Sequence, residues 1–208
     1  MKAIMARRNK KRSWLFPAGL VLLIPLSSFL FFCAEPLPRR SDMLPEQRSK
    51  PRIVVADLEQ QIHRLINNER KQHGLHVIAW DDALARIARQ HSRDMAMRSY
   101  FAHESPEGHD FSYRYRREGY RCAIPTGTTV HLGAENILQN NLYDSVVTVN
   151  GEAFYAWNSQ VKIAETTVHG WMKSSGHRQN ILRPYWNNEG IGVFIAPDGK
   201  VYITQNFC

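Results

Sequence analysis

Residues 190–205 read GIGVFIAPDGKVYITQ, and this stretch decides the class of fold. Apolar side chains alternate on both sides of Asp198-Gly199: Ile191, Val193, Ile195, Val201 and Ile203. An alternation with a period of two predicts β-strands, and Asp-Gly between two such runs is typical of a tight hairpin turn. The chain is therefore expected to end in an antiparallel pair of strands.

The sequence before this hairpin favours helices. Apolar residues spaced by three and four predict a helix from Asp57 to His73, ended by Gly74, and a second helix that Asp81 or Asp82 caps. Shorter helices are predicted at about 111–118, 164–174 and 177–182, and a second hairpin around Asn150-Gly151. Helices mixed with antiparallel strands predict an α+β domain whose sheet is covered on its faces.

The net positive charge of the chain is confined to its first quarter. Residues 1–56 hold 11 Lys or Arg and 3 Asp or Glu, whereas residues 57–208 hold 16 of each kind. A folded domain without excess positive charge lacks the clustered basic surface that neutralises phosphates. We therefore expect no nucleic acid partner.

The first quarter is organised like a membrane anchor. A basic tail (1–13) precedes an uncharged apolar run (14–34), whose 21 residues would span about 32 Å as a helix, close to the thickness of a hydrocarbon core. Basic residues before the run predict that the tail stays in the cytoplasm and that the domain faces the periplasm or the extracellular side. The alternatives are a cleaved secretion signal and a lipid anchor on Cys33. A proline-rich linker (35–56) follows, and residues 57–208 form the domain.

Two cysteines, Cys122 and Cys208, lie in the part of the chain predicted to be exported. Thiols tend to oxidise in that compartment, so a disulfide between them is expected. Two free buried thiols are the alternative.

Short motifs follow one another along residues 60–208: Ile66-Asn67-Asn68-Glu69-Arg70, Trp80-Asp81, Phe101-x-His103-x-Ser105-Pro106-x-Gly108, Ala134-Glu135-Asn136-Ile137, Gly176-His177-Arg178-x-Asn180-Ile181-Leu182 and Gly190-Ile191-Gly192-Val193. In type and order they resemble the cysteine-rich secretory protein, antigen five and pathogenesis-related protein (CAP or SCP) superfamily, in its bacterial form. The resemblance implies a three-layer α-β-α sandwich with an antiparallel central sheet.

Members of this superfamily often carry two histidines and two glutamates in a central cleft. The motifs place His103, Glu135 and His177 at three of these positions. Ser174 stands where the resemblance implies the second glutamate, and Glu165, one helical face away, is a candidate substitute.

The chemistry of His103, Glu135 and His177 allows two roles. The imidazoles can be protonated partners of a buried carboxylate, which is costly to bury alone, or all three side chains can ligate a divalent metal such as zinc. We expect a membrane-anchored, extracytoplasmic binding module for a lipid, a small ligand or a surface polymer. The alternatives are a hydrolase that uses zinc or a serine such as Ser105, and a purely structural envelope module.

Overall fold

The computed structural model of the protein describes residues 49–208. The predicted tail (1–13) and anchor (14–34), Cys33 and most of the linker lie outside the described residues. Within the described part of the chain, no helix has both the length and the apolar character that a membrane crossing requires.

Five helices and eight strands make up the described residues. The helices are α1 (Val55–Gln72), α2 (Asp82–Met97), α3 (Phe111–Arg117), α4 (Gln160–Lys173) and α5 (Ser175–Ile181). The strands are β1 (Ala79–Trp80), β2 (Ile124–Thr126), β3 (Thr129–His131), β4 (Ala134–Asn141), β5 (Tyr143–Val149), β6 (Glu152–Trp157), β7 (Asn188–Ile195) and β8 (Lys200–Phe207).

The central sheet has the strand order β1-β7-β8-β4. The predicted terminal hairpin is its centre, because β7 and β8 pair antiparallel with Val193 opposite Ile203. Strand β4 pairs antiparallel with the other edge of β8, with Ala134 opposite Phe207. The two-residue β1 adds a short parallel edge to β7, so the sheet is antiparallel except at this edge.

Helices cover both faces of this sheet. On one face, α2 lies against β7, so closely that a Cβ atom added to Gly192 would stand 2.0 Å from the Arg89 backbone nitrogen. On the other face, Ile62 of α1 and Trp171 of α4 pack with Ile191 in the main core. The α-β-α sandwich predicted from the resemblance is therefore confirmed.

The second predicted hairpin is also present, as a separate two-stranded sheet of β5 and β6. Its turn residues, Asn150 (φ 52°) and Gly151 (φ 83°), both adopt left-handed backbone conformations. A tight turn with positive φ at both central residues matches the natural twist of a hairpin.

The structure joins Cys122 to Cys208 by a disulfide across 86 residues, as predicted, with their Cα atoms 5.5 Å apart. The bond fixes the C-terminal residue to the segment between α3 and β2. The backbone N–H groups of Asn187 and Asn188 also donate to the Cys208 carbonyl. Cys208 is therefore held by a disulfide and by backbone hydrogen bonds.

Some boundaries differ from the sequence prediction. Helix α1 begins at Val55 rather than Asp57, and α4 begins at Gln160, four residues before the predicted position. The reason for the early start of α4 is a side-chain cap, because the Ser159 hydroxyl accepts from the Lys162 amide at 3.1 Å.

Candidate functional site

The candidate site is built around Glu135, near the start of β4. Its carboxylate is almost fully buried, with 1% of the side chain exposed. The His103 Nδ1 atom lies 3.0 Å from Glu135 Oε1, and about half of the His103 side chain (49%) faces solvent. The sheet therefore supplies the acid, and the loop between α2 and α3 supplies a histidine that reaches from solvent to the buried carboxylate.

The second oxygen of Glu135 is bonded to Arg114, which the sequence analysis did not include in the site. Arg114 Nη2 donates to Glu135 Oε2 at 2.7 Å, and its side chain is only 6% exposed. The guanidinium also donates to the backbone carbonyls of His103 (3.0 Å) and His109 (2.9 Å). Arg114 therefore neutralises the buried carboxylate and fixes the loop that carries His103.

The helical spacing within α3 could have identified Arg114. Phe111, Arg114 and Tyr115 stand at positions i, i+3 and i+4, which share one face of a helix. Tyr115 is buried, so this face points inward. Arg116 and Arg117 of the same helix are exposed, so Arg114 differs from these neighbours in being buried.

His177 lies on the same side of the site, in α5. Burial lowers the pKa of its imidazole, and a charge on His103 lowers this pKa further. The two imidazoles therefore interact electrostatically. Two amides hold α5 against β4: Asn136 Nδ2 donates to the His177 carbonyl at 3.2 Å, and Asn180 Nδ2 to the Glu135 carbonyl at 3.3 Å. The structure thus pairs His103 with Glu135 and holds the helix that carries His177 against the strand that carries Glu135.

A further histidine, His91 of α2, lies close to Glu135. It is buried, its Nε2 lies 3.1 Å from the Ala102 carbonyl, and it is 3.8 Å from Glu135 Oε1. Burial lowers the pKa of His91, which favours the neutral ring. Because the Ala102 carbonyl can only accept a hydrogen bond, the contact assigns the proton of that ring to Nε2. His91 is therefore a hydrogen-bonded histidine of the core.

Neither of the two candidates for the fourth position, Ser174 and Glu165, hydrogen-bonds the Glu135 carboxylate. Ser174 links α4 to α5 and its side chain caps neither helix, and Glu165 is exposed on α4. Among residues 49–208, the side chains that hydrogen-bond the Glu135 carboxylate come from His103 and Arg114. A cation, not a second acid, completes the environment of Glu135.

This arrangement does not favour a metal ion. Within residues 49–208, no group of three or more His, Cys, Asp or Glu side chains has the geometry to hold one. A zinc ion on Glu135 would also stand beside the Arg114 guanidinium, and two cations on one buried carboxylate repel each other. Zinc binding by His103, Glu135 and His177 stays a prediction.

The comparison with known proteins agrees with the motifs and the fold. Residues 63–207 match the profile of the cysteine-rich secretory protein family, abbreviated CAP. The chain belongs to the CAP family. Two relatives come from Bacillus subtilis (strain 168). "Uncharacterized protein YkwD" is 29% identical over 175 residues, which are 84% of this chain and 55% of that protein. "Uncharacterized membrane protein YlbC" is 32% identical over 149 residues, which are 72% of this chain and 34% of that protein. The CAP domain is of bacterial type, and the chain spans about half and a third of these relatives' lengths.

Solved structures share the fold. An extracellular protein containing an SCP domain from Bacillus anthracis superposes with a TM-score of 0.54 at 27% identity, over 76% of this chain and 44% of that one. An outer surface protein from Borrelia burgdorferi has a TM-score of 0.55 at 13% identity, over 76% of this chain and 97% of that one. The second match supports the CAP fold alone, because its identity is low.

Proposed function

We propose that this protein is an extracytoplasmic binding module of the cell envelope, and that His103 and His177 take up an anionic group. The group would be a phosphate or a carboxylate, carried by a lipid, a small ligand or a surface polymer. The observation that carries the proposal is the buried Arg114–Glu135 pair, because Arg114 already neutralises the carboxylate that His103 contacts.

The charges of the site can be counted. Arg114 and Glu135 cancel, so each imidazole that gains a proton adds one positive charge. Because a charge on His103 lowers the pKa of His177, the free site resists carrying both protons. A bound anion removes that repulsion, so it is favoured at both imidazoles.

The envelope location rests on the sequence and on the relatives. The basic tail and the apolar run 14–34 predict an anchored chain with its domain outside the cytoplasm. One relative is named a membrane protein, and one structural neighbour is described as extracellular. The disulfide Cys122–Cys208 agrees with an oxidising compartment.

A hydrolase is the second candidate, and one observation favours it. The His103 ring is oriented by Glu135 and half exposed, which is how an acid and a histidine are arranged in hydrolytic triads. The nucleophile expected nearby, Ser105, instead donates its hydroxyl to Glu107 at 2.8 Å. Hydrolysis of a p-nitrophenyl ester that is lost in His103→Gln would support this candidate over simple binding.

The test of anion binding is calorimetry with inorganic phosphate on the full chain in a non-ionic detergent at pH 6. We expect saturable binding that weakens at least tenfold in His177→Gln. The matched control is His169→Gln, because His169 is an exposed histidine of α4. Equal binding by the two variants, or no binding by the unaltered chain, would refute the proposal. A parallel titration with zinc tests the metal alternative.

A further inference from the structure

A buried carboxylate on β7, Glu189, takes no direct part in the anion site. None of its surface is exposed, and among the described residues its only ion-pair partner is His63 of α1, with Nδ1 and Oε1 2.6 Å apart. Burying a carboxylate is costly unless its oxygens are hydrogen-bonded. An apolar side chain at this position would avoid the cost, so the presence of the acid calls for an explanation.

Glu189 is part of a hydrogen-bonded chain that crosses the sheet. Its Oε2 atom accepts from Gln205 Nε2 at 2.5 Å, and Gln205 Oε1 accepts from Asn136 Nδ2 at 3.0 Å. The strand register fits these bonds, because Asn136 of β4 stands opposite Gln205 of β8. Asn136 Nδ2 also donates to the His177 carbonyl at 3.2 Å. The chain therefore leads from β7 to the helix that carries His177.

We propose that Glu189, Gln205 and Asn136 are positioning residues for His177, and that Glu189 fixes the direction of the hydrogen bonds that hold α5. Each of the three acts through its neighbour, and Asn136 acts on the backbone of His177. The inference rests on the proposed function, because it concerns a histidine that takes up the anion there.

The chemistry of the carboxylate sets the direction of the chain. A carboxylate only accepts, whereas the amides of Gln205 and Asn136 each have a donor end and an acceptor end. Glu189 holds the amide nitrogen of Gln205, so the Gln205 oxygen faces Asn136 and holds its nitrogen. The Asn136 oxygen is then turned to Asn180 of α5, whose Nδ2 atom donates to it at 2.9 Å.

The end of the chain at α1 has the same direction. The Asn67 amide is fixed by Ile78, because its oxygen accepts from the Ile78 backbone nitrogen at 2.8 Å and its nitrogen donates to the Ile78 carbonyl at 3.0 Å. That nitrogen also lies 3.3 Å from His63 Nε2, so Nε2 is the acceptor and the ring hydrogen lies on Nδ1, facing Glu189. Each oxygen of Glu189 therefore receives a donor.

A reversed Asn136 amide would release α5. Its oxygen would face the His177 carbonyl and the Gln205 side-chain oxygen, and its nitrogen would face the nitrogen of Asn180. Hydrogen bonds would give way to contacts between like groups, and buried polar groups without partners are costly. Helix α5 has only seven residues (Ser175–Ile181), so the position of His177 depends on such bonds to β4.

The test breaks the chain and then restores it with the same two side-chain types. In Gln205→Glu, two buried carboxylates face each other with no hydrogen between them. In the double variant Glu189→Gln with Gln205→Glu, the new amide accepts from His63 and donates to the new carboxylate, which still accepts from Asn136. Every donor again meets an acceptor, and the number of charges is unchanged.

The measurements are made on the full chain in a non-ionic detergent. In Gln205→Glu, amide hydrogen exchange within α5 should be about tenfold faster relative to that of α2, and phosphate binding should weaken about tenfold. The pKa of the His177 ring, which burial lowers, should rise towards 6.5 as the ring gains solvent. The double variant should return exchange and binding to within about threefold of the unaltered chain, together with the His177 pKa.

The matched control is Asn140→Asp, which also places an acid on β4. Asn140 Nδ2 donates to Thr166 Oγ1 at 2.9 Å, on α4 rather than α5. This control should leave the exchange of α5 and the pKa of His177 unchanged. An equal effect of Asn140→Asp and Gln205→Glu, no effect of Gln205→Glu, or a double variant as altered as the single one would overturn the proposal.

The double variant also decides the case in which Gln205→Glu alone does not fold. A folded double variant with a protected α5 would support the chain, and a double variant that also fails to fold would overturn it. Exchange and the His177 pKa are measured without phosphate. A chain that binds no phosphate but shows the expected changes in both would therefore refute the proposed function alone.

Discussion

Removing Arg114 should destabilise the domain far more than removing a neighbouring arginine. In Arg114→Met, the carboxylate of Glu135 stays buried and loses its bond of 2.7 Å to the guanidinium. Breaking a buried ion pair on one side costs about 3–5 kcal/mol, because an uncompensated charge remains. The loss also releases the carbonyls of His103 and His109, so the loop should become less ordered.

The assay is urea unfolding of the full chain at pH 7, followed by tryptophan fluorescence. With a urea dependence of about 2 kcal/mol per molar, the midpoint should fall by about 1.5–2.5 M. The matched control is Arg116→Met on the same helix, where the exposed Arg116 bonds Ser112 at the surface. This control should change the free energy of unfolding by less than about 0.5 kcal/mol.

A double variant isolates the charge. In Arg114→Met with Glu135→Gln no buried carboxylate is left without a partner, so most of the lost stability should return. If Arg114→Met lies within about 1 kcal/mol of the unaltered chain, or if the double variant is as unstable as the single one, the buried pair does not have the role described here.

Three further predictions concern the scaffold. Replacing Cys122 and Cys208 together by Ser should lower the free energy of unfolding by about 2–5 kcal/mol in urea, because the loop of 86 residues is no longer closed; a loss below about 1 kcal/mol would contradict this. Gly192→Ala should lower the melting temperature strongly, since its Cβ would meet the backbone of α2, whereas Gly176→Ala meets nothing within 4 Å and should leave the temperature unchanged or raise it. The pKa of His91 is lowered from 6.5, so its contribution to stability is complete above pH 6.5 and is lost as the pH falls towards the lowered value. The free energy of unfolding at pH 5.5 and at pH 7.5 should therefore differ less in His91→Gln than in the unaltered chain. An unchanged difference would refute the assignment.

The sequence predicts the parts of the fold that rest on local patterns. The terminal hairpin follows from alternation around Asp198-Gly199, and the second hairpin follows from Asn150-Gly151, whose backbone conformations suit that turn. Strand β4 (Ala134–Asn141) does not show the alternation of apolar and polar residues that predicts a strand. Its sequence is AENILQNN, and its first four residues are all buried. In a strand that is covered on both faces, apolar and polar residues need not alternate, so the sequence of β4 is marked only by the family motif around Glu135.

The family motifs predict His103, Glu135 and His177, which are far apart in the sequence. The structure pairs His103 with Glu135 and packs the helix that carries His177 against β4. The fourth member, Arg114, could not be found by a search for another acid, since a guanidinium takes the position beside Glu135. The signal that could have located Arg114 is its spacing from Phe111 and Tyr115, which places it on the apolar face of α3.

The account depends most directly on the two imidazoles acting as a receptor for an anion. The decisive measurement is an NMR titration of the His177 ring against pH, with and without inorganic phosphate, in the full chain. We predict that the lowered pKa of His177 rises when phosphate is bound, because the bound anion favours the protonated ring. A His177 pKa that does not move with saturating phosphate would contradict the account.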